Sequence, residues 1–251
     1  MATYVISDIH GNLTTFKNLL KTINFSFEND ELFLLGDYVD WGKESLNTLL
    51  YIMDLDEKYE NIHILIGNHD LMFLEQIKSY NKNKFYLDNN WLYRNKGLET
   101  WKEYLNQDET QRKKIELYLD NLPYRAEIKV NGNNFIMAHA CPCEEFVYDE
   151  NLSKERNLRR FLELREDAVW TRIIQYIKYV AKWFNDDKYD FDYFICGHTI
   201  SNKLKDNHIG INHIGDVFDI DFGAKVLGYE DGEIARLAAL RLDDFEEFYE
   251  E

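Results

Sequence analysis

Short apolar runs recur along the chain, and each one ends abruptly at polar residues. Strands are predicted at the runs 4–7, 32–35, 62–66, 134–138 and 192–196. Their length and nearly unbroken apolar character are typical of strands that are covered on both faces of a sheet. Between the first three runs, apolar residues recur every three or four positions, which is the spacing of an amphipathic helix. The pattern therefore predicts a layered α/β fold.

The first seventy residues alternate predicted strands and helices, with helices at 13–22, at 45–54 and from about 70 onwards. This is the order of a βαβαβ unit. Its short connections predict that the first three strands lie side by side and run parallel. The carboxyl ends of parallel strands share one edge of a sheet, where loops build ligand sites. Polar residues that follow these strands should therefore converge.

The segment from about 79 to 121 lacks the strand pattern. Aromatic residues are interspersed there among charged ones, at Trp91, Tyr93, Trp101, Tyr104 and Tyr118. We interpret the segment as a helical insertion between a site-forming loop and the next strand. Such an insertion could cover the functional edge as a lid, or it could pack away from that edge.

A hairpin is predicted at 125–130 and 134–138, because the Asn-Gly-Asn sequence at 131–133 is a strong turn signal. Two helices follow by pattern, at 155–164 and at 167–184. In the second of these, apolar residues recur at intervals of three or four, as on one face of a helix. The middle of the chain therefore returns to alternating strands and helices.

The last part of the chain contains three further strand-like runs, at 217–221, 224–229 and 234–242, which are separated by glycine-containing turns. We interpret them as an antiparallel end to a second sheet. The terminal residues 243–251 are strongly acidic, and a solvated or frayed end is the simplest interpretation. The whole chain, 1–251, is expected to form one domain that includes the insertion.

The charge balance limits the classes of partner. Among 251 residues there are 29 Lys and Arg against 46 Asp and Glu, which gives a formal net charge of −17. Such a charge disfavours nonspecific attraction to nucleic acid or to an anionic membrane surface. An anionic substrate would need a locally positive site, and bound divalent cations are the obvious source of that charge.

Cysteine content and the apolar runs indicate the compartment. The chain has three cysteines, Cys141, Cys143 and Cys196, which is too few for a disulfide framework and fits a reducing environment. Cys141 and Cys143 lack the second cysteine pair that would make a zinc motif. The first residues show no signal-peptide pattern, and no apolar run is long enough to span a membrane. A cytoplasmic location is expected.

The predicted strand ends carry residues that can bind a metal. These are Asp8, His10, Asp37, Asn68, His139 and His198. Their oxygen and nitrogen atoms suit a divalent ion such as Mn²⁺, Fe or Zn²⁺. Asp8 and His10 alternate in an extended segment and can face one ion, while Asp37 could bridge two. Two adjacent metals activate a water and neutralise the oxygens of an in-line displacement at phosphorus.

Several short motifs resemble, in order, those of the calcineurin-like metallophosphoesterases, and within them the bacterial branch of the phosphoprotein phosphatases. They are Asp-Ile-His-Gly at 8–11, Gly-Asp-Tyr-Val-Asp-x-Gly at 36–42, Gly-Asn-His-Asp at 67–70, Ala-His-Ala at 138–140, Val-Trp-Thr-Arg at 169–172, Cys-Gly-His-Thr at 196–199 and Ile-Asp-Phe-Gly-Ala at 220–224. The resemblance covers nearly the whole chain. It implies a four-layer αββα sandwich, in which two mixed sheets are flanked by helices.

The resemblance also implies roles for individual residues. Asp8, His10 and Asp37 would hold one metal, and the second would be held by Asp37, Asn68, His139 and His198. His69 resembles the family's catalytic histidine, which protonates the leaving oxygen, and Asp40 resembles the carboxylate that orients it. Arg172 resembles the arginine that clamps the phosphate oxygens, and Asn68 would also contact the substrate.

The chain departs from the family pattern at two positions. Trp41 stands where phosphoprotein phosphatases usually carry arginine, and Asp70 where they usually carry glutamate. Trp41 could contact the substrate by stacking on a base or an aromatic ring, or it could only cover the edge of the site. Candidates for replacement positive charge are Lys43, Lys203 and Lys205. The Gly-Asn-His-Asp form also occurs in symmetrical diadenosine tetraphosphate hydrolases.

From the resemblance we expect a metal-dependent phosphatase that acts on phosphoserine or phosphothreonine, with phosphotyrosine as a further substrate, in proteins or peptides, or on small phosphoesters. Mn²⁺ is the expected metal, with Fe or Zn²⁺ as alternatives, and a hydroxide that bridges two metals would attack phosphorus directly. The alternative is a dinucleoside polyphosphate hydrolase of the diadenosine tetraphosphate type. A noncatalytic binding module is disfavoured, because every ligand position and His69 hold competent residue types.

Overall fold

Two five-stranded sheets form the centre of the described part of the chain. The computed structural model describes residues 1–141, 147–171, 191–200, 210–227 and 235–251. The first sheet has the order β10-β9-β1-β2-β3 and the second the order β4-β5-β6-β8-β7. Both sheets mix parallel and antiparallel neighbours, and helices flank them. The predicted α/β sandwich of two mixed sheets is therefore confirmed.

The first sheet contains the predicted βαβαβ unit. Its strands are β1 Thr3–Ile6, β2 Glu31–Leu34, β3 Ile62–Ile64, β9 Leu237–Arg241 and β10 Glu247–Glu250. Strands β1, β2 and β3 run parallel, with Val5 opposite Phe33 and Leu34 opposite Ile64. The predicted parallel arrangement of the first three strands is confirmed. It directs their carboxyl ends to one edge.

The second sheet carries the predicted hairpin. Its strands are β4 Arg125–Val130, β5 Asn133–Ala138, β6 Tyr193–Cys196, β7 Asn212–Ile214 and β8 Val217–Asp219. β5, β6 and β8 are parallel neighbours, while β4 and β7 pair antiparallel at the two edges. Val5, Phe33, Met137 and Ile195 belong to one apolar cluster, so the two sheets bury facing surfaces against each other.

Helices cover the other face of the first sheet. They are α1 Leu13–Thr22, α2 Ser45–Lys58, α3 Asn68–Lys82, α4 Leu98–Leu105, α5 Glu109–Asn121 and α6 Lys154–Trp170. Phe16, Leu49 and Phe73 are fully buried residues of α1, α2 and α3 within the largest apolar cluster. None of the helices in the described ranges is both long and apolar enough to cross a membrane.

The insertion is helical, as predicted, and its inner face is part of the core. It comprises the end of α3, a π-helical turn at Asn90–Arg94, α4 and α5. Trp91 is fully buried, and its ring stacks on Phe73 of α3 at 5.6 Å between centroids. Trp101 meets the Trp91 ring edge-on. The Trp91 ring therefore packs against the helix that begins at the functional edge.

The end of the chain differs from its prediction in three ways. Ala224–Val226 is a 3₁₀ turn rather than the start of a strand, and it follows Gly223 in the left-handed region. β9 and β10 belong to the first sheet, where β9 pairs antiparallel with β1. The acidic terminus is an ordered edge strand, because Phe248 packs edge-on against the ring of Tyr4. Tyr249, the next residue of β10, packs against the second apolar cluster.

Two further predictions changed at their boundaries. α6 continues without a break to Trp170, because Arg165 is buried and donates a hydrogen bond to the carbonyl oxygen of Leu119. The remainder of the predicted helix 167–184 lies outside the described residues from 172 onwards. β7 was not predicted, since three residues of mixed polarity give no periodic signal.

Candidate metal centre

Loops from both sheets meet at the carboxyl edge of the parallel strands. The amide of Asp8 donates to the carbonyl of Gly36 at 3.1 Å, and that of His10 donates to the carbonyl of Asp37 at 2.9 Å. The amide of Gly197 donates to the carbonyl of His139 at 2.8 Å across the second sheet. All six predicted metal ligands are buried here. The strand ends therefore converge as the sequence predicted.

Several of these residues adopt a backbone conformation that side chains disfavour. The φ angles of Asp8, His10, Asp37 and His198 are 55°, 46°, 59° and 70°. Each left-handed residue other than glycine costs on the order of 1 kcal/mol, and such residues cluster at functional sites. The loops turn sharply at the strand ends, and this turn aims the ligand side chains at one another.

The first group of ligand atoms comes from the loops after β1 and β2. His10 Nε2 lies 3.4 Å from Asp37 Oδ2 and 3.8 Å from Asp8 Oδ1. The other Asp8 oxygen, Oδ2, accepts hydrogen bonds from Ser7 Oγ at 2.6 Å and from the amide of His198 at 3.0 Å. Asp8 Oδ1 and His10 Nε2 have no hydrogen-bond partner within the described residues. Buried acceptors without a partner are costly, and a cation between them would remove that cost.

The second group comes from the loops after β2, β3, β5 and β6. Asn68 Oδ1 lies 3.0 Å from His139 Nε2 and 2.9 Å from His198 Nδ1. Asp37 Oδ1 lies 3.5 Å from His139 Nε2. Ligand atoms of Asp37, His139 and His198 all lie within 4.8 Å of one another. Asp37 therefore takes part in both groups, as a bridging ligand would.

Backbone carbonyls orient two of the imidazoles. His10 Nδ1 lies 3.1 Å from the carbonyl oxygen of Val39, and His139 Nδ1 lies 3.1 Å from that of Leu35. A ring N–H that donates to a carbonyl leaves the lone pair on Nε2, which is the atom aimed at the cluster. These contacts prepare both rings to bind a cation.

The pKa values of the cluster follow from its burial. Burial raises the pKa of Asp8 and, with the help of the charges on Asp8 and Asp70, raises that of Asp37 well above its usual value. Burial lowers the pKa of His10 well below its usual value and that of His139 to about 3. Neutral imidazole is the form that binds metal, and a cation compensates the buried carboxylates. The donor set therefore fits divalent cations.

Asp70 joins two of the ligand loops. Its Oδ2 accepts hydrogen bonds from the amides of Asp37 at 2.7 Å and Gly67 at 3.0 Å, and its Oδ1 accepts one from the amide of Tyr38 at 3.0 Å. Burial raises the pKa of Asp70 to about 6, although these three hydrogen bonds act in the opposite direction. The aspartate at this position thus has a structural role in the site.

Gly67 leaves room for the bridging carboxylate, and we expect Gly67→Ala to disrupt the site. A Cβ atom there would lie 2.3 Å from both the amide nitrogen and Oδ1 of Asp37. Overpacking of this kind typically costs about 1–3 kcal/mol of stability. We expect weaker Mn²⁺ binding by calorimetry and a lower unfolding temperature. Gly215→Ala is the control for Mn²⁺ affinity, because a Cβ there meets nothing within 4 Å, although its φ of 61° adds backbone strain that lowers stability by itself. Equal losses of Mn²⁺ affinity in the two variants would contradict the steric explanation.

His69 and Asp40 form a buried pair beside the first group. His69 Nδ1 lies 2.7 Å from Asp40 Oδ2, so the ring N–H donates to the carboxylate. A ring nitrogen of His69 also lies within 4.8 Å of ligand atoms of His10 and Asp37. By distance alone, His69 could serve as a ligand. Its contact with Asp40 instead gives it the arrangement of an oriented proton donor.

The remaining predicted residues lie at the rim or outside the described residues. Trp41 follows Asp40 directly, and Lys96 Nζ of the insertion lies 5.9 Å from the centroid of its ring. Arg172 lies outside the described residues, and so do Lys203, Lys205 and Cys143. Lys43 is exposed. Among the described lysines, Lys225 is one whose charge acts on the cluster, because it lowers the pKa of Asp37.

Sequence reasoning missed several residues of the site. Trp91 Nε1 donates to Asp40 Oδ2 at 2.7 Å, and Thr100 Oγ1 donates to Asp40 Oδ1 at 2.6 Å. The ring of Trp170 meets that of His198 edge-on at 6.3 Å. Trp91 was visible in the sequence only as an aromatic residue of the helical insertion, and Trp170 as part of the Val-Trp-Thr-Arg motif and of a predicted helix. Nothing in the spacing indicated that their rings reach the site.

Sequence comparison finds relatives that match part of this chain. The symmetrical bis(5'-nucleosyl)-tetraphosphatase of Marinomonas sp. (strain MWYL1) is 44% identical over 84 residues, which is 34% of this chain and 30% of the relative. The enzyme with the same name from Haemophilus ducreyi (strain 35000HP / ATCC 700724) is 42% identical over 84 residues, with the same coverage of 34% and 30%. The chain thus matches less than a third of the length of these relatives.

Structural comparison supports the fold over the whole chain. A metallophosphoesterase from Sphaerobacter thermophilus has a TM-score of 0.56 at 18% identity, covering 100% of this chain and 87% of that one. A protein serine/threonine phosphatase from Saccharomyces cerevisiae has a TM-score of 0.60 at 15% identity, covering 100% of this chain and 79% of that one. At such identities the likeness concerns the fold alone.

The family follows from a third comparison. The family model described as calcineurin-like phosphoesterase matches residues 1–202, a range that includes every predicted metal ligand. The order of the sheets and the convergence of acidic, amide and imidazole side chains agree with that match. This chain is a member of the calcineurin-like phosphoesterases.

Proposed function

We propose that this phosphoesterase hydrolyses a dinucleoside tetraphosphate symmetrically, giving two nucleoside diphosphates. The observation that carries the proposal is the identity of 42–44% to symmetrical bis(5'-nucleosyl)-tetraphosphatases over 84 residues. The first expectation from sequence, a phosphoprotein phosphatase, has support only from structures that share the fold at low identity. The alternative named in the sequence analysis is therefore the better supported function.

The proposed cation ligands follow the two geometric groups. Asp8, His10 and Asp37 would hold one divalent cation, and the second would be held by Asp37, Asn68, His139 and His198. When bound, such cations supply positive charge for the phosphate oxygens and acidify a water. Mn²⁺ is our first choice, with Fe and Zn²⁺ sharing the same ligand types.

The proposed proton donor is His69. Its Nδ1–H is held by Asp40, so Nε2 is the nitrogen that would carry the proton for the leaving oxygen. A histidine held in this way contributes to catalysis because it needs no reorientation during the reaction. Asn68 would also contact a phosphate oxygen, and Arg172 would clamp the phosphate with its planar guanidinium group.

The rim of the site supports a nucleotide over a phosphopeptide. Trp41 lies in the loop whose Gly42 amide donates to the carbonyl of His10 at 2.9 Å, which is next to the first ligand group. Trp170 is 44% exposed and meets the ring of His198 in the second group. An indole face can stack on a nucleobase, and each such contact contributes about 1–3 kcal/mol. One tryptophan thus belongs to a loop that contacts the first ligand group, and the other contacts a ligand of the second.

Two lysines near the site would favour a polyphosphate in a chain that is otherwise acidic. Lys225 is half-buried, and its charge acts on both Asp8 and Asp37. Lys96 lies over the ring of Trp41, which is the residue that stands where the family usually carries arginine. A tetraphosphate chain carries more negative charge than a phosphoserine, so it gains more from these additional cations.

The test is to follow hydrolysis of diadenosine tetraphosphate by the Mn²⁺-loaded protein and to separate the products by chromatography. We expect ADP as the product, at a higher kcat/KM than for phosphoserine or phosphothreonine peptides. Trp41→Ala should raise KM for the dinucleotide by about tenfold, from the loss of about 1.4 kcal/mol of stacking, and leave p-nitrophenyl phosphate unaffected.

Phe85→Ala is the matched control for loss of an aromatic side chain, since Phe85 is 93% exposed in the insertion. It should leave KM unchanged for both the dinucleotide and p-nitrophenyl phosphate. Formation of AMP and ATP would contradict symmetrical cleavage. A higher kcat/KM for phosphopeptides would return the assignment to a protein phosphatase. Absence of hydrolysis with every substrate, including p-nitrophenyl phosphate, would favour a noncatalytic role.

A further inference from the structure

The carboxylate of Asp40 receives three hydrogen bonds in the described structure. His69 Nδ1 and Trp91 Nε1 both lie 2.7 Å from Oδ2, and Thr100 Oγ1 lies 2.6 Å from Oδ1. Asp40, Trp91 and Thr100 are each fully buried. An ionised carboxylate only accepts hydrogen bonds, so all three neighbours act as donors. Two of the three come from the insertion rather than from the ligand loops.

Ser45 completes a closed set of hydrogen bonds around Asp40. The backbone amide of Asp40 donates to Ser45 Oγ at 2.7 Å, and Ser45 Oγ lies 2.6 Å from Thr100 Oγ1. Since Thr100 donates to the carboxylate, Ser45 must donate to Thr100. Asp40 itself has a φ of 71°, in the left-handed region. Ser45 therefore holds the backbone of Asp40 and Thr100 holds its carboxylate, and the two hydroxyl groups are joined by a hydrogen bond.

The indole of Trp91 is held as firmly as its hydrogen bond requires. Its ring lies between Phe73, stacked at 5.6 Å, and Trp101, edge-on at 6.3 Å. Gly97 lies against the other part of the ring, where a Cβ atom would come within 2.2 Å of Trp91 Cε2. A buried ring with such close neighbours cannot change its rotamer without moving the core. This packing therefore holds the N–H of Trp91 in the direction of Asp40.

We propose that Trp91 is a positioning residue for the proposed proton donor His69, acting through Asp40. The inference rests on the proposed function, because it concerns the same proton. A water oxygen adds to phosphorus and that water loses one proton to solvent, while the bond from phosphorus to the leaving oxygen breaks and the proton on His69 Nε2 passes to the leaving oxygen. His69 then regains a proton from solvent. Trp91 and Thr100 of the insertion fix the carboxylate of Asp40, and this carboxylate holds His69 Nδ1. The insertion therefore positions the proton donor through Asp40.

The experiment compares two aryl phosphates in Trp91→Phe, which keeps the aromatic ring but removes the N–H. Phenolate is a strong base and needs the proton, whereas p-nitrophenolate is a better leaving group. We expect kcat for phenyl phosphate to fall by about tenfold, in line with the effect of losing a partner that orients a histidine. For p-nitrophenyl phosphate we expect less than about a twofold change, with KM and Mn²⁺ affinity unchanged for both substrates.

Trp101→Phe is the matched control, because Trp101 belongs to the same aromatic cluster and has no hydrogen bond to Asp40. It should leave the ratio of the two rates unchanged. Thr100→Val removes the other donor with almost no change in shape, and it should reproduce the selective loss on phenyl phosphate. This second variant tests the inference independently if Trp91→Phe does not fold.

A spectroscopic measurement on the metal-free protein gives an independent result. The His69 Nδ1 proton, hydrogen-bonded to a buried carboxylate, should give a downfield proton NMR signal that disappears in His69→Gln. We expect this signal to shift in Trp91→Phe and to stay in place in Trp101→Phe. An unshifted signal, or equal rate losses for both aryl phosphates, would overturn the inference.

The outcomes also separate the inference from the function on which it rests. If His69→Ala shows no preference for the better leaving group, His69 is not the proton donor and the proposed chemistry fails. If His69→Ala shows that preference and both Trp91→Phe and Thr100→Val lack it, only the positioning role fails.

Discussion

Replacing Asp37 with asparagine is expected to remove cation binding at both positions and to lower hydrolysis of p-nitrophenyl phosphate by about a thousandfold or more. Asp37 is the residue that both ligand groups share, with Oδ2 near His10 and Oδ1 near His139. The cations are expected to contribute several kcal/mol of charge stabilisation to the transition state, and about 4 kcal/mol corresponds to a thousandfold. Calorimetric titration with Mn²⁺ and the rate of nitrophenolate release measure the two effects.

The stability of the Asp37→Asn variant provides the control. Burial raises the pKa of Asp37 well above its usual value, so the metal-free protein loses stability as the pH rises from the usual aspartate pKa through the raised one. At neutral pH the metal-free variant should therefore unfold at a temperature no lower than the parent does. Mn²⁺ should raise the unfolding temperature of the parent and not that of the variant. Retained turnover in the variant would contradict the bridging role.

Replacing His69 with alanine should have a different signature. We expect Mn²⁺ affinity to be retained, because the other ligands remain, and kcat for phenyl phosphate to fall by about 10²–10⁴-fold, the usual contribution of a general acid. The loss should be smaller for p-nitrophenyl phosphate. It should also be smaller for a dinucleoside tetraphosphate than for phenyl phosphate, because the leaving nucleoside diphosphate ends in a phosphate whose second pKa is about 6 and needs the proton less than phenolate does.

The measurement for His69→Ala is the dependence of kcat on the leaving group, with Mn²⁺ affinity determined in parallel. Loss of Mn²⁺ binding would show that His69 is a ligand, which its distance to His10 and Asp37 would permit. An equal loss on every substrate would show that the side chain maintains the site without transferring a proton. The three outcomes assign His69 to three different roles.

The functional edge was predictable from sequence because its residues follow directly from strand ends. Each apolar run identifies a buried strand, and the next polar residue must lie at the same edge of the sheet. The convergence of Asp8, Asp37 and His139 needed no knowledge of side-chain contacts. The helical insertion was predictable because the strand pattern stops there and aromatic residues are interspersed among charged ones.

The support of Asp40 was not predictable, because it depends on distant pairs. Trp91 and Thr100 are 51 and 60 positions from Asp40, and periodicity describes only neighbours along the chain. The placement of β9 and β10 was missed for the same reason, since a strand pattern does not identify its partner strand. The acidic end was misinterpreted because its charges hid the aromatic residues Phe245, Phe248 and Tyr249, which pack against the core.

Asp70 has a mechanical consequence for this site. A single carboxylate anchors the backbone at Asp37, Tyr38 and Gly67, so the loops after β2 and β3 behave as one rigid body. The shared cation ligand lies on one loop and the proposed acid on the other. A displacement of the first loop carries the second with it, so the distance between Asp37 and His69 stays constant. Substrate groups of different size can then bind at the rim without changing the distance between the shared ligand and the proposed acid.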